Sequence, residues 1–442
     1  MNKTILPWSQ TIALLLSALL VASANLLART THAQDVPPAQ PPPDVAAQPP
    51  ATPPAPEAPP SAAPTPEPVA PAAPVAPTPA EVPPTETNPK PMAPPEAAAE
   101  PAPEPEDVTK KPIDVHAWLR VDGILHGPKP KQVKHLTENV DTELHTDGQI
   151  TKEIGLTLNL TALLGPAGSP ADQGTVSVLD AIGRFDITDP FHIWVGRMLV
   201  PSDRANFSGT WFEAPWFYPG TYSAAGFIGP HEGPFGRNDG ATVWGQFGGG
   251  LFKYYAGAFD LYDGTSSPLW SGRLNLSLLN PEPGYYHSST YYGQDILAIG
   301  VGAQLKNKGA STATSTDDYA EFNADVLFEK ALDGGAFDLE GAVYAYSGAA
   351  EPFKYSYLAL ISYLTPTAVG PGKLQPLVRL QQARLRLIDE TETSIEAQLG
   401  YVIAAYSARL ALGYQYTKAL VDPMTGARSA SNYIYLGAQF LK

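Results

Sequence analysis

From Ile113 to Lys442 the chain is written in alternation. In Glu153 to Thr161, Ile154, Leu156, Leu158 and Leu160 share one face, while Glu153, Gly155, Thr157, Asn159 and Thr161 share the other. This is the two-residue period of a β-strand whose faces meet different surroundings. Ala320, Phe322, Ala324, Val326 and Phe328 stand opposite Tyr319, Glu321, Asn323 and Asp325 in the same way. So do Phe337, Leu339, Gly341 and Val343 against Asp338, Glu340 and Tyr344. Gly272, Leu274, Leu276 and Leu278 oppose Arg273, Asn275 and Ser277, and Leu410, Leu412, Tyr414 and Tyr416 oppose Arg409, Gln415 and Thr417. Stripes at the helical period are absent, and the runs suit strands of ~9–11 residues, the length that crosses a bilayer.

Connection lengths turn strands into a topology. Gly248–Gly250 and Asp333–Gly335 are tight, whereas Leu261–Pro268, Asn307–Asp317 and Lys418–Ser431 are long. Short turns at one end and long loops at the other are the habit of outer-membrane barrels. The lengthy Leu279–Gly293 and the short Asp389–Thr393 depart from it. Fifteen strands are evident. Such barrels have even strand numbers, so a sixteenth is expected between Lys129 and Thr146, where Val133, Leu136 and Leu144 give a weak pattern. The fold class is therefore all-β, a transmembrane antiparallel barrel of sixteen strands, with fourteen the alternative.

Alternation does not say which face points outward. A soluble sandwich would bury the leucines, and a membrane barrel would expose them to lipid. The strand lengths, an export signal and the tyrosines near strand ends, as at Tyr285, Tyr286, Tyr291 and Tyr292, favour the membrane, with these tyrosines in its aromatic girdle.

One connection is unlike the others. The strand Phe191–Leu199 is stopped by Pro201, and the loop that follows, about 201–236, contains Trp211-Phe212-Glu213-Ala214-Pro215-Trp216-Phe217-Tyr218-Pro219-Gly220. Its Pro and Gly preclude regular structure, and its aromatic content is too high for a segment that only meets water. It is expected to fold inward against the barrel wall. The chain resumes at Arg237-Asn238-Asp239-Gly240 and a strand from Thr242 to Phe247.

The N-terminal quarter is different. Lys3, the apolar run Ile12–Val21 and small-residue cleavage patterns at Ala22-Ser23-Ala24 and Thr31-His32-Ala33 read as a cleaved signal peptide over residues 1–33. Residues 34–112 hold most of the 48 prolines and read as a disordered Pro/Ala-rich periplasmic spacer, a linker with a cell-wall or periplasmic contact as its other reading. The barrel then occupies residues 113–442. With no cysteine, disulfides and thiolate metal sites are excluded.

The run Ser177-Val178-Leu179-Asp180-Ala181, the element Val195-Gly196-Arg197-Met198-Leu199-Val200-Pro201-Ser202-Asp203-Arg204, and Arg237-Asn238-Asp239-Gly240 resemble the phosphate-selective porin family, the outer-membrane porins O and P of Gram-negative bacteria. Leu399-Gly400-Tyr401 and Leu410-Ala411-Leu412-Gly413-Tyr414 extend the resemblance to the penultimate hairpin. It implies a homotrimeric channel in the outer membrane and an anion path framed by Arg197, Arg204 and Arg237. Arginine suits that task because its planar fork stays charged and pairs with phosphate oxygens.

The residues themselves are less one-sided. Around the loop those three arginines face Asp203, Glu213, Glu232 and Asp239. On the provisional lumen faces Arg120, Arg273, Arg384, Arg386 and Arg409 stand against Glu321, Asp325 and Glu340, among other carboxylates. The constriction candidates are thus Arg197, Arg204, Arg237, Asp203, Asp239, Trp211 and Trp216. Either the arginines line a solute path or they pair with adjacent carboxylates and hold the loop. The expected function is passive diffusion of small hydrophilic solutes or inorganic ions, possible phosphate or other anions included, with weak ion preference. An adhesin or structural anchor with a blocked barrel is the alternative, and a barrel-borne hydrolase a lesser one. His231-Glu232 lacks a second His at metal-ligand spacing, and Ser208-Gly209 lacks a nucleophile elbow, so no enzyme, cofactor or metal is expected. The expected partners are outer-membrane lipids and solutes, with no nucleic acid.

Overall fold

The computed structural model describes residues 113–127, 135–164, 175–217, 236–261, 266–311, 316–348, 353–386, 389–421 and 428–442. The expected signal segment and spacer lie outside the described residues, as does the second half of the aromatic loop, 218–235. The strands are β1 (Ile113–Gly127), β2 (His135–Gln149), β3 (Ile154–Leu164), β4 (Thr175–Thr188), β5 (Phe191–Leu199) and β6 (Arg237–Phe247). They continue as β7 (Phe252–Asp260), β8 (Leu269–Ser277), β9 (Ile296–Ser311), β10 (Thr316–Leu332), β11 (Gly335–Ser347) and β12 (Phe353–Leu364). The last are β13 (Ala368–Val369), β14 (Gly372–Leu385), β15 (Thr391–Ala404), β16 (Ala408–Val421) and β17 (Arg428–Leu441). β13 is a two-residue stub in the turn between β12 and β14, which pair directly. The wall therefore has sixteen staves, each antiparallel to its sequence neighbours, and β1 closes it by pairing with both β2 and β17. Ala117 and Lys442 exchange both backbone hydrogen bonds at the seam, at 2.7 and 3.1 Å.

The sixteenth strand is β2, in the interval where one was missing. Its outward positions Val140, Thr142, Leu144 and Thr146 alternate with Asp141, Glu143, His145 and Asp147, too polar overall to stand out.

The faces are inverted relative to a soluble protein. Leu158 is 40% exposed while its neighbours Thr157 and Asn159 are 9% and 5% exposed. On β16 and β17 Leu412 and Leu436 lie outside, and Arg409 and Gln439 lie inside. An apolar exterior around a polar interior is stable only if the exterior meets hydrocarbon. Both β1 and β17 have their chain ends at one end of the barrel, here the basal end. The tight turns are at this end. The Gly248–Gly250 turn has all three φ values positive, between 62° and 106°, which only glycine adopts without strain. The long loops are at the other, apical end, so the alternation of connections read from the sequence is the architecture.

Two expectations about faces are corrected here. Tyr285 is not in a lipid-facing girdle. It lies 2% exposed inside the barrel, because the connection from Leu278 to Asp295, although basal, folds inward. Arg384 faces outward beside Leu374, Pro376 and Val378 of its own strand, and pairs with Asp389 at the apical rim. The inward arginine of β14 is Arg379. Polar residues are allowed outside at the rim, where lipid gives way to headgroups and water, and there the alternation no longer reports the lumen.

A charge placed on the outer wall should test the inversion. Leu412→Arg is expected to destabilise the liposome-folded barrel by about 2–4 kcal/mol in a guanidinium titration. An unchanged midpoint would mean that this face does not meet lipid.

Candidate functional site

The described part of the aromatic loop, to Phe217, lies inside the wall. Asn206 Nδ2 donates to the carbonyls of Val200 and Gly236, tying the two feet of the loop together. A single helical turn, Arg204–Ser208, follows Asp203 and is buried throughout. Asp203 accepts hydrogen bonds from Tyr344 Oη of β11 (2.7 Å) and Ser202 Oγ (2.8 Å). The loop then crosses the lumen to the opposite wall.

An irregular loop carries backbone carbonyls that no ladder satisfies, so a buried one needs side-chain donors. The far wall supplies them. Arg120 of β1 donates to Thr210 O (2.8 Å) and to Trp216 O, Arg409 of β16 to Glu213 O (2.6 Å), Arg379 of β14 to Phe217 O (2.8 Å), and Gln439 of β17 to Trp211 O (3.1 Å). Trp216 is the anchor. Its indole is fully buried, donates to Asp122 (3.1 Å), and lies under the Arg120 guanidinium at 4.1 Å. It rests on Gly437, where a Cβ would come within 2.2 Å of the ring. Trp211 Nε1 donates to Glu143 (2.6 Å) on β2.

The root of the loop is held by ions. Arg204 makes a two-pronged pair with Glu282 (2.7 and 2.9 Å), and its Nε lies 3.7 Å from Asp325 of β10. Arg273 of β8 makes a second two-pronged pair with Asp325 (2.6 and 2.9 Å). All four side chains are at most 1% exposed. Removing one partner from such a buried pair typically costs about 3–5 kcal/mol, because the other charge is left unpaired. Burial alone would raise the Glu282 carboxyl, but the Arg204 guanidinium holds it well below the usual carboxylate range. Burial, with Lys253 beside it, pushes His287 well below its ordinary value. His287 is therefore neutral, and its 3.5 Å approach to Glu282 is not an ion pair at neutral pH.

The constriction candidates separate. Arg204, Asp203, Trp211 and Trp216 are inside and hold the loop. Arg237 is inside, clamped to Asp180 of β4 (2.8 and 3.2 Å). Arg197 and Asp239 are not at the constriction. They pair with each other (2.6 and 3.1 Å) on the outer wall, because Arg197 shares its strand face with Phe191 and Val195, both exposed. Of the lumen candidates, Arg120, Arg273, Arg409, Glu321, Asp325 and Glu340 face inward and are buried. Arg384 is outside, as described above. Arg386 lies beyond the end of β14 and donates to Tyr346 O and Phe353 O at the apical rim. Arg379 and Glu282 were missed, the second because it is in a connection that reads as a basal turn. Among the described residues no group of three or more His, Asp or Glu is placed to hold a metal ion.

The interior is not filled evenly. Inward side chains across β7–β15, such as Lys253, Arg273, Glu321, Asp325, Glu340 and Arg379, are at most 3% exposed, shut in by the loop and by the inserted 278–295 segment. On β1, β2 and β4 the inward Asp122, Asp141, His145, Asp147, Arg184 and Asp186 keep partial access to solvent. The inward charges of β1–β4 are the carboxylates Asp114, Asp122, Asp141, Glu143, Asp147, Asp180 and Asp186, against Arg120 and Arg184.

No protein-family model matches the chain, and no curated protein matches it in sequence. Among solved structures it is similar to Pseudomonas putida OprB, at 11% identity over 76% of this chain and 96% of that one, with a TM-score of 0.54. It is similar to the anion-selective porin from Comamonas acidovorans at 9% identity, covering 75% and 99%, with a TM-score of 0.51. A loop-deleted OmpT, an outer membrane protein of Vibrio cholerae, matches at 14% identity over 75% and 99%, with a TM-score of 0.50. At these identities the likeness is one of fold: a sixteen-stranded porin-type barrel. The resemblance to the phosphate-selective porins rests on the residues quoted for it.

The docked loop should respond to pH through Glu213. Burial pushes this carboxyl from 4.5 up to about 7, with Ser208 Oγ, Arg379 and Arg409 pulling it down and Asp203 pushing it up, and with Glu340 of β11 also facing it. A carboxyl raised in the docked state favours docking when protonated. That contribution is whole below about pH 4.5, declines as pH rises, and is lost above about 7. Single-channel current is therefore expected to grow and become noisier from about pH 5 to 8, and Glu213→Gln should flatten the dependence at the low-pH level. The same pH slope in the variant would assign it to another group.

Proposed function

We propose that the chain is an outer-membrane porin, a passive conduit in which small hydrophilic solutes and ions pass along the β1–β4 side of the lumen. One observation carries the reading: Asp122, Asp141, His145, Asp147, Arg184 and Asp186, inward on β1, β2 and β4, keep solvent contact beside the buried Arg120, Glu143 and Asp180, while the inward charges named across the barrel are closed off. The apolar outer wall supports a place in lipid, and the short turns at the end shared by both chain ends support the periplasmic side for that end. The mechanism involves no reaction. Polar groups on the wall replace part of a solute's hydration, and the charges beside the path set its field.

That field is acidic. Arg120 is turned towards loop carbonyls, Arg237 is clamped to Asp180 and Arg184 lies 3.5 Å from Asp147, so the solvent-contacting Asp122, Asp141, Asp147 and Asp186 outnumber the cations beside them. Charges further than a Debye length, ~8 Å at physiological salt, are largely screened, so the lining of the path outweighs the charge of the whole barrel. The reading is a general porin with a weak preference for cations, in place of the anion path that the resemblance implies. Supporting this, Arg204 is engaged by two carboxylates and Arg197 lies on the outer wall. A homotrimer remains the assembly that the resemblance implies, to be read by native electrophoresis.

A second reading has its own observation. The loop and the inserted segment shut much of the interior, as an anchor with a blocked barrel would require. Planar bilayers separate the two. Discrete current steps are expected, with a reversal potential of cationic sign across a KCl gradient that shrinks in the double variant Asp141→Asn, Asp147→Asn. Silent bilayers with folded protein would favour the blocked barrel, and anion selectivity with block by phosphate would overturn the cation preference.

A further inference from the structure

The connection from Leu278 to Asp295 is built as carefully as the aromatic loop. It belongs to the basal end, where the other connections are tight turns, yet Glu282, Tyr285, His287, Ser289 and Thr290 within it are at most 3% exposed inside the barrel. Two wall residues peg it. Lys253 of β7 donates to the carbonyls of Gly284 (3.1 Å) and Tyr286 (3.3 Å). Glu329 of β10 accepts from the backbone N–H groups of Tyr291, Gly293 (2.6 Å) and Gln294 (2.7 Å). A turn that merely reversed the chain would need neither peg.

The insert meets the aromatic loop, which enters from the apical side. Ser289 N donates to Phe212 O (3.1 Å), Ala214 N donates to Ser289 Oγ (2.5 Å), and the Phe207 and Tyr285 rings lie 5.0 Å apart. The charged part of the contact is Arg204. It donates to Ser288 O (2.9 Å) and grips Glu282, which also accepts from Tyr291 Oη (2.7 Å), Asn275 (3.2 Å) and Ser277 (3.1 Å). Without the Glu282 charge, Arg204 keeps only a 3.7 Å approach to Asp325 and carbonyl contacts, in a place water does not reach.

We infer that the constriction has two parts, the aromatic loop and this basal insert, and that the buried Arg204–Glu282 pair latches them so that they hold the lumen narrow together. The inference rests on the channel reading for its effect on current, but the latch itself has a separate readout. The native chain has no cysteine, so Ser289→Cys places a single thiol at the contact between the two segments. In liposomes, a membrane-impermeant maleimide should label it slowly in the native background and about tenfold faster or more when combined with Glu282→Gln. With the thiol absent, Glu282→Gln should raise single-channel conductance about twofold or more. Tyr291→Phe, which removes one bond to Glu282 and leaves the pair in place, should fold where Glu282→Gln does not, and should shift both readouts in the same direction by less.

Unchanged labelling in folded variants would overturn the latch. Faster labelling with unchanged conductance would overturn its role in narrowing the pore while leaving a conducting channel. If no variant and no native protein conducts, the channel reading fails, and labelling still decides whether the pair holds the two segments together.

Discussion

A lipid-facing barrel sends its polar side chains to the same place. With leucine, valine and phenylalanine on the outer wall, arginines, carboxylates and amides converge on one enclosed volume, where each must find a partner or water. The rest of the structure follows from this crowding. Arg120, Arg379 and Arg409 meet backbone carbonyls of the aromatic loop, whose own donors and acceptors would otherwise be stranded, and Arg204 and Arg273 meet Glu282 and Asp325. Wall and loop therefore satisfy one another. A wall without Arg120, Arg379 and Arg409 would leave these loop carbonyls unsatisfied.

The legible part of this fold was the part governed by period and length. Alternation located the strands because the two faces meet lipid and lumen along most of their length, and connection lengths located the two ends. β2 was the exception: Thr142 and Thr146 occupy outward positions that leucine fills elsewhere, so its pattern hides behind its polarity. The inward folding of the aromatic loop was legible from Trp211 and Trp216, whose area is too large to leave in water. The same argument applied to Tyr285, Tyr286, Tyr291 and Tyr292 would have found the basal insert, had strand-end tyrosines not had a ready explanation as a girdle.

What could not be read was which partner each charge meets. Arg197, Arg204 and Arg237 look alike in the chain, yet one pairs on the outer wall, one is locked between two carboxylates, and one is clamped to β4. The difference between Arg379 and Arg384 is parity alone, five positions apart on one strand. Near a rim residue type no longer reports the face, since Gln382 and Arg384 point outward there while Ala383 and Leu385 point inward. Long-range partners such as Glu282 for Arg204, 78 residues apart, have no local signal.

These partnerships also divide the charges of the wall. An arginine bound to a backbone carbonyl keeps its charge, but it is positioned by the loop and turned from the open side, as Arg120 is towards Trp216. A carboxylate has no donors with which to hold carbonyls, so the loop does not draw Asp141 or Asp147 away from solvent. Each accepts from a hydroxyl, Thr161 and Thr157, Asp147 with Arg184 also 3.5 Å away, and keeps its place on the wall. The docking engages carboxylates too, Asp122 through Trp216 and Glu143 through Trp211, but leaves Asp141 and Asp147 on the wall. In a barrel whose narrowing element is irregular backbone, docking draws on arginine for the loop carbonyls and on carboxylates for its indole donors, so the wall that holds the loop must carry both charges.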